Sequence, residues 1–382
     1  MKKWIIFALV LTLALSLCAC AQPAAPTETT GAPAETTAAP AETTAAPAET
    51  EAPETEAPAT DAPETEAPAT EAPATETPAT EEIPTVSGAE FNVYSLKGPT
   101  SMGLVKLLDD SDNGRTVNVY HSTMCTAADE VTAALVNGSA DIALLPANAA
   151  AALFNKNGGF SVVGINTLGV LYVVENGETI QSVADLAGKT VYMTGKGTVP
   201  EYGLRYVLAA NGIEDQVTLE FKSEAQEVVS AMAGDAAAVG MLPQPFVTAA
   251  LAQNEGLRVA LSLTEEWSKV TEDSMFITGV TVVRNEILEQ YPAQVAAFLQ
   301  EAAESVAFVN EHPEEAAPMI EALGIVAKAP IAQKAIPFCN LVSITGPEMK
   351  AALSGYLQTL FDQNPKAVGG AMPADEFYCT GE

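Results

Sequence analysis

The sequence predicts an α/β fold made of two similar lobes, which follow a secretion signal and a disordered linker. Three observations support this prediction. The first 85 residues differ sharply in composition from the rest, the remaining chain alternates between short apolar strands and amphipathic helices, and one strand–helix pattern occurs twice in register. Such alternation is typical of parallel sheets with helices on both faces.

Residues 1–20 are predicted to be a lipoprotein signal peptide. Two lysines precede an apolar run, Trp4 to Leu17, which is shorter than a transmembrane helix needs. Small Ala19 lies directly before Cys20, with Leu17 two places further back, and this order resembles the lipobox of bacterial lipoproteins. We expect a lipid on Cys20; an ordinary signal peptide cleaved nearby is the alternative.

Residues 21–85 are predicted to form a disordered linker. The segment is almost wholly Ala, Pro, Thr and Glu, with 14 acidic residues and neither a basic nor an aromatic one. Such a chain has too little apolar surface to offset the entropy lost on ordering. Fully extended, it would reach about 200 Å at roughly 3.1 Å per residue. We therefore expect a spacer that carries the folded domain away from the membrane.

Residues 86–382 hold the folded domain, and their charge excludes one class of function. The whole chain has 49 acidic and 17 basic residues, and removing those of the first 85 leaves a net charge of about −20. Nucleic-acid binding through a basic face is therefore not expected. Cys125, Cys339 and Cys379 are far apart and outside any CxxC pattern, so buried free thiols are favoured over one disulfide, and neither a metal nor a cofactor is predicted.

The domain begins with two copies of one pattern. The first copy has predicted strands at 90–95, 116–122 and 141–145, and helices at 102–108, after Thr126 and after Pro146. The second copy has strands at 189–194, 217–221 and 237–242, and helices at 200–210, from Ser223 and after Pro245. Thr126 with Asp129, and Thr198 with Glu201, have capping-box spacing.

The repeated loops indicate a binding cleft. Gly98 and Gly197 each lie between a strand and a helix, beside hydroxyl side chains. Ligands of open α/β sheets bind at the carboxyl ends of strands, where helix N-termini present free N–H groups. Either loop alone is more often a simple helix cap, but two copies in register favour two loops that face each other across a cleft.

The chain is expected to cross twice between the lobes. Long apolar strand regions at 161–176 and 274–285 would form these crossings and permit hinge closure. Lobe one is predicted at 86–172 and 280–382, and lobe two at 173–279. The helical tail after Asn285 is expected to pack back on lobe one.

At this level the domain resembles the substrate-binding proteins of ABC importers, and more narrowly the NMT1/THI5-like, SsuA/TauA-like group. The resemblance rests on LKGPTSMGLV, GSADIALLPANAAA, DLAGKTVYMTGKGTVPEYGLRYVLAANGI and VVSAMAGDAAAVGMLPQPFVTAAL, and covers about 88–382. It implies the type II periplasmic-binding-protein fold and no catalysis. It also implies a small-molecule ligand, an ABC permease with its ATPase as partners, an extracytoplasmic location and a monomer.

Position in the repeat gives the candidate ligand-binding residues, each at a strand end or in the loop that follows. They are Pro99, Thr100, Ser101, His121, Pro146, Asn148, Lys196, Gly197, Thr198, Tyr202 and Gln244, with Trp267 and Asn340 as weaker candidates. They have structural alternatives: the threonines as caps, His121 as a core or surface histidine, Tyr202 as a packing group on its own helix, Trp267 on an exposed loop, and Lys196 as a solvated side chain.

The candidate residues include one lysine and no arginine, which disfavours a multiply charged anion. The expected ligand is a flat, mostly neutral heterocycle, such as a thiamine-precursor-like pyrimidine, with a sulfonate or nitrate second. Two other roles stay open: a solute-sensing lipoprotein, and a pyrimidine synthase like one branch of the family. The synthase needs a cysteine cluster, and Cys339 stands alone in IPFCN, so this role is disfavoured.

Overall fold

The computed structural model describes residues 87–234, 238–271 and 274–381. Cys20, the signal peptide and the linker lie outside these residues. The strands are β1 (Glu90–Leu96), β2 (Val119–Cys125), β3 (Ile142–Pro146), β4 (Phe160–Leu168), β5 (Leu171–Asn176), β6 (Thr190–Met193), β7 (Thr218–Phe221), β8 (Val239–Pro243), β9 (Leu257–Ser262), β10 (Ile277–Arg284) and β11 (Leu341–Ile344).

The helices pack on both faces of these strands. They are α1 (Pro99–Met102), α2 (Val105–Asp112), α3 (Ala128–Asn137), α4 (Ala147–Asn157), α5 (Val199–Ala210), α6 (Ala225–Gly234), α7 (Phe246–Gln253), α8 (Leu263–Val270), α9 (Asn285–Gln290), α10 (Pro292–Glu311), α11 (Pro313–Ala322), α12 (Ala329–Ala335) and α13 (Gly346–Gln363). None of the described helices combines the length and the apolar character that crossing a membrane requires.

Two sheets confirm the α/β fold and the repeat. Sheet one has the order β11-β4-β10-β3-β1-β2, and sheet two has the order β7-β6-β8-β5-β9. In each, three parallel strands, β2-β1-β3 or β7-β6-β8, are followed by one antiparallel strand. In each sheet this antiparallel strand, β10 or β5, directly follows the segment by which the chain enters from the other lobe. The chain passes from sheet one to sheet two between β4 and β5, and it returns between α8 and β10. Both crossings lie a few residues before the expected boundaries.

The predicted helix at 102–108 is divided into α1 and α2. Ser305 of α10 causes the break, because its hydroxyl accepts from the Leu107 amide at 3.0 Å and donates to the Gly103 carbonyl at 2.7 Å. These two groups would bond each other in a continuous α-helix. Gly103 also lies against Val306, where a Cβ would come within 2.8 Å of the valine methyl.

Two other local predictions were wrong at their boundaries. Strand β2 begins three residues late, at Val119, where parallel pairing with Glu90 of β1 begins. The side chain of Asn118 accepts from the Ala89 amide at 3.1 Å and so fixes the entry to the strand. Helix α3 begins at Ala128 without a side-chain cap, and the Thr126 hydroxyl bonds Glu130 instead of capping the helix.

Helix α13 contacts both lobes, although the tail was expected on lobe one alone. It packs on β4 and α4 of lobe one and on α5 of lobe two. Its fully buried Tyr356 lies against Trp267 of α8 and Phe276 at the second crossing, with ring centroids 5.8 and 6.1 Å apart. The two lobes therefore share an aromatic core beside the crossing.

A buried carboxylate fixes the loop that follows β5. Glu175 accepts from the Thr179 amide and the Ile180 amide, each at 3.0 Å, and pairs with the Arg258 guanidinium. Burial acts to raise the pKa of Glu175, but the hydrogen bonds from Ile180 and Thr179, with the charge of Arg258, hold it below its usual value.

Candidate functional site: a cleft with two chambers

A cavity of about 370 Å³ lies between the lobes where the repeat predicts a cleft, and we name it the hinge-side chamber. It is lined by Pro146, Asn148, Ala149, Val170, Leu171, Thr198, Val199, Pro200, Pro243 and Thr278. These residues come from the carboxyl ends of β3 and β8, the starts of α4 and α5, and both crossings. Most of the wall is apolar, with Asn148, Thr198 and Thr278 as its polar side chains.

A second cavity of about 640 Å³ lies between α7 of lobe two and the turn before α12 of lobe one, and we name it the outer chamber. It is lined by Lys97, Gly98, Pro245, Phe246, Ala249, Ala252, Gln253, Ile325, Val326, Ala327, Lys328 and Ile331. Phe246 is 52% exposed on its wall. Lys97 and Lys328 are exposed, and neither forms an ion pair with a described residue.

The structure places three candidate residues, Pro146, Asn148 and Thr198, on the wall of the hinge-side chamber. Lys196 and Gly197 belong to the same loop as Thr198. The Lys196 ammonium lies 5.7 Å from the ring centre of Phe221, on the protein's own surface. Sequence position thus brought residues of both lobes to one cavity, and their contact with a ligand stays a prediction.

The start of α5 departs from the predicted capping box. Thr198 is the N-cap residue, but its hydroxyl donates to the Gly195 carbonyl at 2.6 Å instead of accepting from the helix. Glu201 accepts at 2.7 Å from the amide of Gly197, one residue before the N-cap, so neither half of the capping box forms. Burial tends to raise the pKa of Glu201, but this bond and the Arg205 guanidinium lower it overall. An ionised carboxylate therefore offsets the positive end of α5.

Helix α4 differs because its start is free of both acidic side chains and a side-chain cap. Asn148 and Ala149 of its first turn line the hinge-side chamber, and the side-chain nitrogen of Asn148 lies 3.4 Å from the Ala367 carbonyl. A helix start of this kind favours a hydrogen-bond acceptor on the ligand.

The side chains of the loop after β1 make their contacts mainly within lobe one. Ser101 is fully buried, accepts from or donates to the Ser95 hydroxyl at 2.7 Å, and donates to the Leu96 carbonyl. Thr100 is 7% exposed and borders a cavity of about 30 Å³ inside lobe one. Pro99 begins α1 and lines neither chamber. The Ser101 hydroxyl thus already bonds the protein, and its contact with a ligand stays a prediction.

Three further candidates lie away from the two chambers, and their contact with a ligand stays a prediction. His121 lies in the middle of edge strand β2, 56% exposed and 3.2 Å from Glu90, because the strand continues to Cys125. Trp267 is fully buried, and its indole nitrogen donates to the Ser274 carbonyl at 3.2 Å. Gln244 is 3% exposed, and its Oε1 accepts from the Thr248 hydroxyl at 2.8 Å. None of these side chains lines either chamber.

Tyr202 and Asn340 connect parts of the protein instead of lining the chambers. The Tyr202 hydroxyl bonds Gly197 and Asn364, and the Asn340 side chain donates to the Gly169 carbonyl at 2.5 Å. Asn340 has φ 47°, a left-handed conformation that asparagine tolerates better than most residues. Both residues therefore support the cleft from behind.

The cysteines and one cluster of possible metal ligands line neither chamber. Burial raises the pKa of Cys339 to about 12, so its thiol is a poor nucleophile, and all three cysteines of the described domain are free. His312, Glu314 and Glu315 could bring three metal ligands together, but they lie on an exposed helix junction that lines neither chamber.

Comparison with known proteins decides the family. The NMT1/THI5-like family model matches residues 123–316, which is half of the chain. The chain belongs to this family. No curated protein matches the sequence closely enough to be counted as a relative.

Solved structures agree on the fold. An ABC transporter protein from Parabacteroides distasonis is 25% identical, with a TM-score of 0.65, and the match covers 76% of this chain and 99% of that one. The periplasmic aliphatic sulphonate binding protein SsuA of Escherichia coli is 18% identical, with a TM-score of 0.59 and coverage of 74% and 90%. The alkanesulfonate-binding SsuA of Xanthomonas axonopodis, bound to MOPS, is 15% identical, with a TM-score of 0.54 and coverage of 76% and 96%. The chain therefore has the type II periplasmic-binding-protein fold, and its structural neighbours include ABC-transporter binding proteins.

Several residues that line the two chambers were not among the candidates chosen from the sequence. Thr278 and Val170 lie at the crossings, where apolar strand patterns conceal a turn. Lys97 and Phe246 each lie two positions from a selected candidate, Pro99 and Gln244 respectively. Lys328 lies over 200 positions from Lys97, and only tertiary packing shows that both line one cavity.

Proposed function

We propose that this protein is the extracytoplasmic solute-binding component of an ABC importer, which captures a small molecule between its lobes and delivers it to a permease. The hinge-side chamber carries the proposal, because it lies at the strand ends of both lobes and beside both chain crossings. Rotation about the crossings would open and close such a chamber around a ligand. The family and the ABC-transporter proteins among its neighbours support import over sensing.

Membrane attachment through a lipid on Cys20 completes this proposal. The signal sequence supports export, and the acidic linker supports a tethered domain that moves freely above the membrane. We propose that the protein acts as a monomer, with the permease and its ATPase as partners. Binding and release need no catalytic group, and we propose no enzymatic activity.

The chamber favours a small, mostly neutral ring compound as ligand, such as a thiamine-precursor-like pyrimidine. Its walls are chiefly Pro, Val, Leu and Ala, which suit the faces of a flat ring. The free start of α4 and the Asn148 amide can donate to ring nitrogens or a carbonyl. Glu201 cancels part of the positive end of α5, which disfavours a compact anion there.

Native mass spectrometry of residues 86–382, purified without refolding, tests this proposal. A retained ring compound supports it, and the compound identified this way then serves in titrations of Asn148→Leu and Thr198→Val. Loss of one hydrogen bond should weaken binding about fivefold in each variant. Thr132→Val is the matched control, because the Thr132 hydroxyl donates to Asp129 on the exposed face of α3.

If no compound is retained, a thermal-shift panel of pyrimidines, sulfonates and flavins replaces the first step. Normal affinity in both chamber variants would contradict the assignment of the ligand to the hinge-side chamber. Absence of any binding across the panel would contradict the proposed function.

A sulfonate is the second candidate ligand, and the outer chamber supports it. Lys97 and Lys328 line one cavity beside apolar side chains, which suits an anionic group on an alkyl or aryl body. Hexanesulfonate should then bind more tightly than hexanol and lose affinity as salt is raised. Lys97→Gln and Lys328→Gln should abolish the difference. Lys156→Gln, at the exposed end of α4, should leave it unchanged.

A further inference from the structure

One tyrosine hydroxyl joins the two lobes behind the hinge-side chamber. Tyr202 of α5 donates to the Gly197 carbonyl at 2.9 Å, within lobe two. The same hydroxyl accepts from Nδ2 of Asn364 at 2.8 Å, at the end of α13 in lobe one. A hydroxyl with one donor and two acceptor positions can make both bonds at once.

On the lobe-two side, this bond reaches the loop that forms the chamber wall. Gly197 directly precedes Thr198, which lines the chamber. Gly195 and Gly197 both have positive φ, at 82° and 73°, so glycine makes the tight turn accessible. Glycine also allows other backbone conformations, so bonds from outside the turn are needed to hold it in one.

On the lobe-one side, the bond reaches a turn that also holds the opposite wall. Asn364 uses its Oδ1 to accept from the Lys366 amide at 3.1 Å, which begins the turn Pro365–Val368. The Ala367 carbonyl of this turn accepts from the Asn148 side chain at 3.4 Å, and Asn148 lines the chamber from lobe one. The segment 364–367 therefore bonds both Tyr202, behind the lobe-two wall, and Asn148, in the lobe-one wall.

Packing around this bond is incomplete. A cavity of about 400 Å³ lies between α5 and the end of α13 beside Tyr202, although α13 packs on α5 elsewhere. Arg205 lines this cavity, but Glu201 and Glu214 hold its guanidinium at 2.8 and 3.2 Å. Its charge is thus already paired within lobe two.

We propose that Tyr202 and Asn364 form a bridge that positions the loop 195–198 against lobe one and so sets the width of the hinge-side chamber. Tyr202 is a positioning residue in this scheme, and the C-terminal turn 364–367 is the part of lobe one that fixes the chamber. The importance of the chamber rests on the proposed function, whereas the bridge itself can be tested in the ligand-free protein.

Hydrogen–deuterium exchange of the ligand-free domain tests the bridge in Tyr202→Phe. Tyr202→Phe removes one hydrogen bond from each of two segments, and loss of one hydrogen bond corresponds to about a fivefold change in an opening equilibrium. Amide exchange in both segments, 195–198 and 364–371, should therefore rise about fivefold while the two sheets stay unchanged. Tyr206→Phe is the control, because this hydroxyl lies one turn further along α5 and makes no hydrogen bond to a described residue.

A second variant separates the bridge from the hydrogen bond by which Asn364 begins the turn Pro365–Val368. Asn364→Asp keeps the acceptor for the Lys366 amide but replaces the donor that Tyr202 needs, so the tyrosine hydroxyl would turn from Gly197 to the new carboxylate. Exchange in 195–198 should rise as in Tyr202→Phe, and the double variant should rise no further. Faster exchange confined to 195–198 in Tyr202→Phe, an equal rise throughout the domain, or no change would each overturn the bridge.

Discussion

Substituting Gly169 with alanine should destabilise the protein through a steric clash at the first crossing. A Cβ at this position would lie 2.1 Å from Phe276 Cδ1 and 2.3 Å from Thr264 Oγ1. Phe276 is 1% exposed and stacks on Trp267, with ring centroids 5.2 Å apart, so it has little room to move. The Thr264 hydroxyl is also held, because it donates to the Gly169 carbonyl at 2.9 Å.

The expected loss follows from two opposing effects. Overpacking of a buried site costs about 1–3 kcal/mol, and two contacts this short place Gly169→Ala near the upper end. Alanine also restricts the unfolded chain, which returns about 0.4–1 kcal/mol. The net loss is about 2 kcal/mol, and we expect the melting temperature to fall by about 5 °C.

Calorimetry and urea unfolding of residues 86–382 measure this effect. Gly164→Ala on β4 is the matched control, because the nearest atoms to its Cβ, Ile344 O and Thr345 Cγ2, lie at 3.3 and 3.4 Å. Its stability should stay within about 1 kcal/mol of the parent. Phe276→Leu should relieve the clash, so the double variant should be more stable than the sum of the single losses by about 1 kcal/mol. Parental stability in Gly169→Ala, or strict additivity with Phe276→Leu, would refute the described packing at the crossing.

Four further predictions follow from single side chains. Glu175→Gln should cost about 2–3 kcal/mol at pH 7 by leaving a charged guanidinium without its partner, as measured by urea unfolding. Because the folded-state pKa of Glu175 is depressed, its contribution is present above about pH 4.3 and is lost as pH falls through the lower folded value, so the variant should lose less stability on acidification than the parent. Tyr356→Phe should preserve or raise the melting temperature, since the buried hydroxyl has no hydrogen-bond partner among the described residues; a clear decrease would indicate a partner such as bound water. Trp267→Phe should lower stability by about 1–3 kcal/mol but leave ligand affinity unchanged, and weaker binding at unchanged stability would restore Trp267 to the site. Cys20→Ser should abolish metabolic labelling with palmitate and membrane association, whereas a variant still in the membrane fraction would have another anchor.

The sequence predicted the cleft better than it predicted the side chains in it. Repeat register located Pro146 and Thr198, because the ends of equivalent strands must meet where two α/β lobes face each other. It did not show that the Ser101 and Gln244 side chains bond the protein itself, because a hydroxyl or amide near a strand end can bond its own backbone or the next helix. Sequence shows that a polar group is present but does not show which partner satisfies it.

Trp267 shows a different limit. It was a weaker candidate for a ligand contact, and its segment LTEEWSKV carries several polar residues, which left an exposed loop as the alternative. The structure buries it completely between Tyr206, Phe276 and Tyr356. Tyr356 comes from α13, nearly 90 positions later, and no local pattern shows that this helix packs across both lobes.

The sequence by itself determined the α/β class and the two-lobed repeat, because strand and helix periods and turn residues act locally along the chain. The family followed from the resemblance of its motifs and from the family-model match. Tertiary structure decided where the predicted helix at 102–108 breaks, which strand crosses into which sheet, and how the cleft divides into two chambers. It also decided that Tyr202 bridges the lobes and that Lys97 and Lys328 line one cavity. These features depend on contacts between residues far apart in the chain, and such contacts form only when whole elements pack together.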